Sequence, residues 1–282
     1  MKKVLLAIAG AAAILAGAAT DALAQQRTVR VATEGAYRPW NFTDASGKLV
    51  GFEIDLANDL CRRMNAKCEI IAQDWDGIIP ALQQGRYDVI MAGMSVTEKR
   101  KEVIDFAGPY ATDATVFSAL KSSPLVKTPT GERLDMQEIS AEEKKTIDGI
   151  AQQLKGKTVG VQVSTIQQAM MEQLFPGVTI RTYDTGDNAA LDLVAGRVDA
   201  LLMDRSAVNA IIQAEGGQGK DIQIFGPAFA RGVLGAGVGV GLRKNDADLK
   251  KAFDKAIADA TADGTITRLS TQWFGYDLAI RN

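Results

Sequence analysis

Residues 154–174 read LKGKTVGVQVSTIQQAMMEQL, an apolar strand pattern at Thr158–Val161 followed by a helical pattern at Thr165–Leu174. The same order, a short apolar strand and then an amphipathic helix, begins the chain at Val29–Ala32 and Phe52–Met64. Strands that alternate with helices in this way are typical of mostly parallel sheets covered by helices. Because the pattern starts again midway along the chain, the sequence predicts two α/β lobes. Clefts between domains commonly bind small ligands.

Three further segments complete this plan. The alternating glycines of Gly232–Leu242 predict an extended strand or hinge, because a dinucleotide loop requires a helix that opens at its last glycine. Ser122–Ile150 is polar and predicts a surface excursion of the second lobe, and Asp246–Tyr276 has the apolar spacing of helices packed on a core. The predicted boundaries are 25–116 for the first part of lobe 1, 117–233 for lobe 2 and 234–282 for the return to lobe 1.

Residues 1–24 predict a signal peptide that is removed from the folded protein. Lys2 and Lys3 give a positive start, Val4–Ala19 is apolar, and Ala22-Leu23-Ala24 has small residues at the positions that signal peptidase reads. A membrane anchor is the alternative, which the alanine- and glycine-rich run and its cleavage pattern argue against. We therefore expect an exported protein cleaved after Ala24.

The composition argues against several classes of function and leaves carboxylate or lysine catalysis open. The chain has no histidine, which removes the commonest general base and the commonest metal ligand. Its formal net charge of −2 provides no basic surplus for a nucleic-acid backbone. We therefore expect no metal, no cofactor and no nucleic-acid partner.

Two cysteines lie seven residues apart, where a predicted helix ends and the next strand begins. A helix end that folds back onto a strand can bring Cys61 and Cys68 within bonding range. Two buried free thiols are the alternative. The predicted export to an oxidising compartment favours the disulfide.

Two strand ends are each followed by a predicted helix start. Ser95 and Glu98 have the spacing of a capping box, and Ser164 and Gln167 repeat that spacing in the second lobe. Free N–H groups at a helix start can bind an anion, and Arg100 could add a two-pronged bond to a carboxylate. The alternative is a pair of ordinary capped helices with solvated charges. Because the two starts occupy corresponding places, they could share one carboxylate across the cleft.

Other polar and aromatic side chains also follow predicted strands. Asp204 ends an apolar strand, where it could receive an ammonium group or, alternatively, cap the next helix. Tyr37 and Trp75 could enclose an elongated ligand chain, since a cation against such rings gains about 0.5–2 kcal/mol. Glu34 could then bind the charged tip. The alternative for the two rings is an ordinary place in the core.

Taken together, these segments resemble a known family, the polar amino acid-binding proteins of bacterial ABC importers, close to the lysine/arginine/ornithine, histidine and opine binders. The resemblance runs from about Val29 to Tyr276. It is carried by TEGAYRPW (33–40), LVGFEIDLANDLC (49–61), DGIIPALQQGRYDVI (76–90), GMSVTEKR (93–100), LKGKTVGVQVST (154–165), LVAGRVDALLMD (193–204), GVGVGLRK (237–244) and ADGT…WFGYD (262–277).

The resemblance implies a type II periplasmic binding fold, with two lobes joined by two hinge strands, and a monomer that delivers its ligand to membrane permease subunits. Arg100, helped by Ser95 and the Ile166 N–H, matches the position that holds the ligand α-carboxylate. Asp204 and the Gly93 carbonyl match the position that holds the α-ammonium. The implied ligand-binding residues are Glu34, Tyr37, Trp75, Gly93, Ser95, Arg100, Thr165, Ile166 and Asp204.

The family offers three possible functions for such a chain. We expect capture of a cationic amino acid without catalysis, because Asp204 suits a free primary ammonium and Glu34 suits a cationic side chain. Ala92 and Gly93 depart from the paired serines of some lysine/arginine/ornithine and histidine binders, and Ser122–Ile150 is most like the opine binders, so an opine is the alternative. An enzyme similar to the cyclohexadienyl dehydratases is a third reading.

Overall fold

A computed structural model describes residues 27–131, 133–214, 216–217 and 219–280, and elements are numbered here in chain order. The strands are Arg27–Thr33 (β1), Ala36–Tyr37 (β2), Asn41–Thr43 (β3), Leu49–Val50 (β4), Ala66–Ala72 (β5), Val89–Ile90 (β6), Asp105–Ala111 (β7), Thr115–Leu120 (β8), Arg133–Asp135 (β9), Thr158–Gln162 (β10), Thr179–Tyr183 (β11), Ala200–Asp204 (β12), Ile222–Ala230 (β13) and Val238–Leu242 (β14). The helices are Phe52–Arg63 (α1), Ile78–Gln83 (α2), Glu98–Lys101 (α3), Ala141–Gln153 (α4), Ile166–Leu174 (α5), Gly186–Val194 (α6), Arg205–Gln213 (α7), Ala247–Ala262 (α8) and Thr265–Phe274 (α9).

Two large sheets share one plan. The first has the strand order β5-β1-β6-β14-β7 and the second has β11-β10-β12-β8-β13-β9. β14 is antiparallel to both of its neighbours, and so is β8, whereas the other described pairings in these sheets are parallel. In each sheet, the antiparallel strand is the one that the chain enters after leaving the other sheet. The predicted α/β architecture of two lobes with two connections is therefore confirmed.

Each lobe has its own apolar core. In the first lobe, α1, α8 and α9 pack on the sheet through buried side chains such as Phe52, Phe253 and Ile266. In the second lobe, Phe117 stacks on Phe225 and packs with other buried rings. The chain passes between the sheets through residues 112–114 and 231–237. The finer lobe boundaries at 116/117 and 233/234 stay predictions.

The polar excursion at Ser122–Ile150 belongs to the second lobe. Its strand β9 pairs with β13 at the edge of the second sheet. Its helix α4 begins at a capping box between Ser140 and Glu143 and contributes Ile147 and Ile150 to the second core. The excursion therefore has an apolar anchor as well as the polar surface that its composition predicts.

Of the two predictions that concern export, the structure confirms the disulfide and does not describe the signal peptide. Cys61 near the end of α1 bonds to Cys68 in β5, with a Cα–Cα distance of 5.8 Å, which confirms the predicted disulfide. The predicted signal peptide and its cleavage after Ala24 lie outside the described residues. Within the described ranges, no helix combines the length and the apolar character that a membrane span requires.

Both predicted capping boxes are wrong, because the residue that caps each helix lies one or two positions further along the chain. Thr97, not Ser95, caps α3, because its side chain accepts the Arg100 N–H. Thr165, not Ser164, caps α5 by accepting the Gln168 N–H, while Ser164 has a positive φ of 58°. Runs that contain several hydroxyl residues offer alternative caps, and the direction of the preceding strand selects one of them.

Candidate functional site

A cavity between the lobes encloses about 460 Å³ of space not occupied by atoms, part of it open to solvent. All nine residues predicted to bind a ligand line it. Their direct contact with a ligand stays a prediction. The lining consists of Glu34, Tyr37, Trp75, Ala92, Gly93, Ser95, Arg100, Gln162, Thr165, Ile166, Gln167, Leu202, Met203 and Asp204.

The topology explains why these residues meet. Glu34, Trp75 and Gly93 follow the carboxyl ends of β1, β5 and β6, which are neighbouring parallel strands. Thr165 follows β10 and Asp204 ends β12 in the second sheet. Loops at the carboxyl ends of parallel strands are where open α/β sheets place ligands. The cavity therefore lies where the carboxyl edges of the two sheets meet.

Arg100 brings a half-buried positive charge to the cavity. Its Nη1 donates to the Ser95 carbonyl oxygen at 2.9 Å, and its Nη2 donates to the Ser164 carbonyl oxygen at 3.4 Å. Its guanidinium carbon lies 5.2 Å from the centroid of the Trp75 ring. Burial lowers the Arg100 pKa to about 10, and the charge of Asp204 partly opposes this shift. Because the described acceptors are neutral carbonyl groups, the guanidinium is suited to an additional anionic partner.

Asp204 brings a half-buried carboxylate from the second lobe. It accepts hydrogen bonds from the Tyr37 hydroxyl at 2.5 Å, from Gln167 Nε2 at 2.7 Å and from the Thr115 hydroxyl at 3.3 Å. Its side chain makes no capping bond to α7, so the capping alternative is wrong. Burial raises the pKa of Asp204 to about 7, the charge of Asp113 adds to this rise, and the three hydrogen bonds oppose it.

Glu34 is a second half-buried carboxylate. Its Oε1 accepts a hydrogen bond from Gln162 Nε2 at 2.6 Å, and the same nitrogen donates to the Asp184 carbonyl oxygen at 3.0 Å. Burial raises the pKa of Glu34 to about 7, and the nearby charges of Asp187 and Glu53 add to this rise. The cavity thus holds two carboxylates that would each be stabilised by a cation.

The two aromatic residues line the cavity and also join the lobes. Tyr37 of the first lobe donates to Asp204, and Trp75 Nε1 donates to the Val163 carbonyl oxygen at 3.0 Å. Near them, the Ser164 hydroxyl donates to Asp76 at 2.7 Å. These bonds cross from one lobe to the other, so the structure has its lobes closed over the cavity. Both rings lie in the cleft, where an enclosing role requires them.

Several cavity residues were not predicted from the sequence. Gln162 and Gln167 are buried amides that bond Glu34 and Asp204, and Thr115 also bonds Asp204. Gln162 could have been found as the polar end of an otherwise apolar strand. Gln167 was assigned to a cap, and Thr115 gives no signal before the second sheet is known. Among the described residues, no group of three or more acidic or cysteine side chains is arranged to hold a metal ion.

Comparison with known proteins gives a consistent family. The model of the bacterial extracellular solute-binding proteins, family 3, matches residues 29–276. The octopine-binding periplasmic protein of Rhizobium meliloti is 44% identical over 280 residues, which cover 92% of this chain and 94% of that protein. The lysine/arginine/ornithine-binding periplasmic protein of Escherichia coli (strain K12) is 35% identical, and the match covers 99% of both chains.

Solved structures agree with these relatives. A periplasmic His/Glu/Gln/Arg/opine family-binding protein from Silicibacter pomeroyi, in complex with lysine, is similar to this chain with a TM-score of 0.72. The two sequences are 33% identical, and the match covers 90% of this chain and all of the other. These relatives and neighbours are substrate-binding proteins and not enzymes.

Proposed function

Because this chain belongs to the family 3 bacterial extracellular solute-binding proteins, which have the two-lobed type II fold, we propose that it captures a cationic amino acid. Arginine, lysine, ornithine and histidine are the candidates. The protein is a binding component and not an enzyme. The observation that carries the proposal is one closed cavity that holds the carbonyl-bonded Arg100 guanidinium together with the carboxylates of Asp204 and Glu34.

The charges of the cavity match a free cationic amino acid group by group. Such a ligand has one carboxylate, one α-ammonium and one cationic tip. Arg100 would bind the carboxylate, helped by Ser95 and the N–H groups at the start of α5, where Thr165 and Ile166 lie. Asp204 would bind the ammonium, and Glu34 would bind the tip. Charge-assisted hydrogen bonds contribute about 1.5–3 kcal/mol each, so three such contacts support tight binding after the cost of association.

The lobes would close around the ligand by bending at residues 112–114 and 231–237. Arg100 and Glu34 belong to the first lobe, whereas Asp204 belongs to the second. An amino acid whose carboxylate is held by the first lobe and whose ammonium is held by the second stabilises the closed state. The closed surface would then be recognised by the permease subunits of an ABC importer in the periplasm, with the protein acting as a monomer.

An opine is the second candidate, favoured by the 44% identity with the octopine-binding relative. Octopine keeps a guanidinium tip that suits Glu34, but it adds a second carboxylate on the amine that Asp204 would receive. The cavity lining contains one cationic residue, Arg100, and two carboxylates. This balance favours a ligand with a net positive charge over one with two carboxylates.

Isothermal titration calorimetry with arginine, lysine, ornithine, histidine, octopine, nopaline and neutral glutamine tests the proposal. We expect a cationic amino acid to bind more tightly than either opine and more tightly than glutamine. We expect Glu34→Gln to lower affinity for the preferred cation by about tenfold or more, since it removes one charge-assisted contact. Tighter binding of octopine or nopaline would establish the opine candidate instead, and an unchanged affinity in Glu34→Gln would refute the assignment of the tip.

The pH dependence of binding provides another test. Burial raises the pKa of both Asp204 and Glu34 to about 7, so both are largely ionised above pH 8 and take up protons as the pH falls. A cationic ligand favours the ionised forms, lowers both pKa values and releases protons. We expect affinity to fall at least about tenfold from about pH 8 to about pH 5.5, with a shallower fall in Glu34→Gln. Calorimetry in two buffers of different ionisation enthalpy counts the protons, and a constant affinity would contradict the prediction.

A further inference from the structure

Beneath the cavity lies a buried acid that does not line it. Glu53 is in the first turn of α1 and is fully buried, with 0% of its surface exposed. A glutamate at a helix start normally faces solvent, because burial of a charge without partners is expensive. The contacts of Glu53 inside the first lobe must therefore compensate for the cost of its burial.

The carboxylate of Glu53 accepts hydrogen bonds from three different parts of the first lobe. Both of its oxygens accept from the Gly93 N–H, at 2.8 and 3.0 Å. Oε2 also accepts from Asn41 Nδ2 at 2.7 Å, and Oε1 accepts from the Tyr110 hydroxyl. These partners are neutral donors, so none of them neutralises the charge of the ionised carboxylate. Its oxygens act as acceptors only.

Through these bonds Glu53 connects the two cleft loops of the first lobe. Gly93, which it holds directly, lines the cavity beside Ala92 and Ser95. Asn41, which it also holds, accepts the Gly35 N–H on its Oδ1 at 2.8 Å, and Gly35 lies between the cavity residues Glu34 and Tyr37.

Both loops turn through left-handed backbone conformations at a glycine. Gly35 has a φ of 76° and Gly93 has a φ of 62°. The two turns are also in close contact, since a Cβ atom added at Gly93 would lie 3.1 Å from Tyr37 Cε1. A displacement of the Gly93 loop would therefore move Tyr37, which donates to Asp204 across the cleft.

We propose that Glu53 is a positioning residue for ligand capture, a buried carboxylate that fixes the Glu34–Tyr37 loop and the Gly93 loop in one binding geometry. This role rests on the proposed function. Burial raises the pKa of Glu53, the hydrogen bonds from Tyr110, Gly93 and Asn41 oppose this rise, and the ionised form in turn raises the pKa of Glu34. A glutamine in its place would offer one acceptor oxygen, and in either orientation its NH₂ group would face a donor, the Asn41 amide or the Gly93 N–H, so that at least one of the bonds that Glu53 accepts would be lost.

A pair of variants in the same helical turn tests the proposal. Glu53→Gln removes the acceptor beneath the cleft, and Asp55→Asn is its matched control. Asp55 also lies in the first turn of α1, but it accepts from Trp273 Nε1 at 2.8 Å, away from the cavity. Both substitutions remove one acidic residue from the same helix start, so they have a similar effect on the helix dipole.

We expect Glu53→Gln to weaken binding of the preferred cationic amino acid by about tenfold or more, and Asp55→Asn to change it less than about twofold. Amide hydrogen exchange of the ligand-free proteins gives a readout that needs no ligand. The Gly93 and Gly35 amides should exchange faster in Glu53→Gln and at the wild-type rate in Asp55→Asn. If Glu53→Gln does not fold, Tyr110→Phe removes one donor to the same carboxylate and should give a smaller loss in the same direction.

The outcomes separate this proposal from the proposed function. Wild-type affinity in Glu53→Gln, or unchanged exchange at Gly93, would overturn the positioning role while cation binding stands. Equal losses of affinity in Glu53→Gln and Asp55→Asn would overturn it too, because they would indicate a general effect on α1. Failure of the wild-type protein to bind any cationic amino acid would instead overturn the proposed function, and the exchange measurement would still test the anchor.

Discussion

Replacement of Arg100 by alanine is expected to weaken binding of the ligand by about 100-fold or more. The substitution removes the guanidinium and with it two charge-assisted hydrogen bonds to the ligand carboxylate, each contributing about 1.5–3 kcal/mol. The short helix α3 and its cap at Thr97 should remain, because that cap is made by the Arg100 backbone and not by its side chain. Calorimetry with the preferred amino acid measures the loss.

Lys99→Ala is the matched control for this change. Lys99 precedes Arg100 in α3 and is exposed, so its removal takes one positive charge from the same helix without touching the cavity. Its affinity should stay within about twofold of wild type. Circular dichroism and thermal unfolding of both ligand-free variants report whether the fold is intact. Normal binding by a folded Arg100→Ala would rule out the carboxylate assignment.

Replacement of Asp204 by asparagine is expected to have an effect of similar size. The variant keeps the shape of the side chain but loses the charge that would bind the α-ammonium, and one of its two polar atoms becomes a donor that faces either Gln167 or the Tyr37 hydroxyl. Removing one partner of a buried charge pair typically costs about 3–5 kcal/mol, so affinity should fall about 100-fold or more. Small-angle scattering with added ligand should also show reduced closure.

Asp199→Asn is the matched control for Asp204→Asn. Asp199 precedes β12 at the end opposite Asp204, and its carboxylate accepts from the Thr158 N–H and from Lys157. Loss of that contact should lower the unfolding temperature and leave affinity within about twofold. Asp204→Asn should show the opposite pattern at about pH 8, with a higher unfolding temperature and a lower affinity. Burial raises the pKa of Asp204, so its ionised carboxylate destabilises the folded protein at this pH, and asparagine removes that cost. A stable Asp204→Asn with wild-type affinity would contradict the ammonium assignment.

The two lobes could be predicted from the sequence more completely than the candidate site. Strand and helix patterns predict the two sheets because apolar periodicity is a local property, and segments at strand ends supply nine of the residues that line the cavity. The hydroxyl caps are misplaced because Ser95 and Thr97, or Ser164 and Thr165, compete over a few residues of chain. Glu53 could not be predicted as an anchor, since its partners Asn41, Gly93 and Tyr110 meet only after three separate segments pack together.

The way the chain crosses between the sheets also sets an order of assembly. β14 lies between β6 and β7, yet it follows the whole of the second lobe in the chain. When a chain emerges with its amino terminus first, as in secretion, all strands of the second sheet are therefore present while the first sheet still lacks the interior strand β14. The lobe that begins the chain is the last to complete its sheet, and the cleft between two complete lobes forms only after β14 has followed the second lobe.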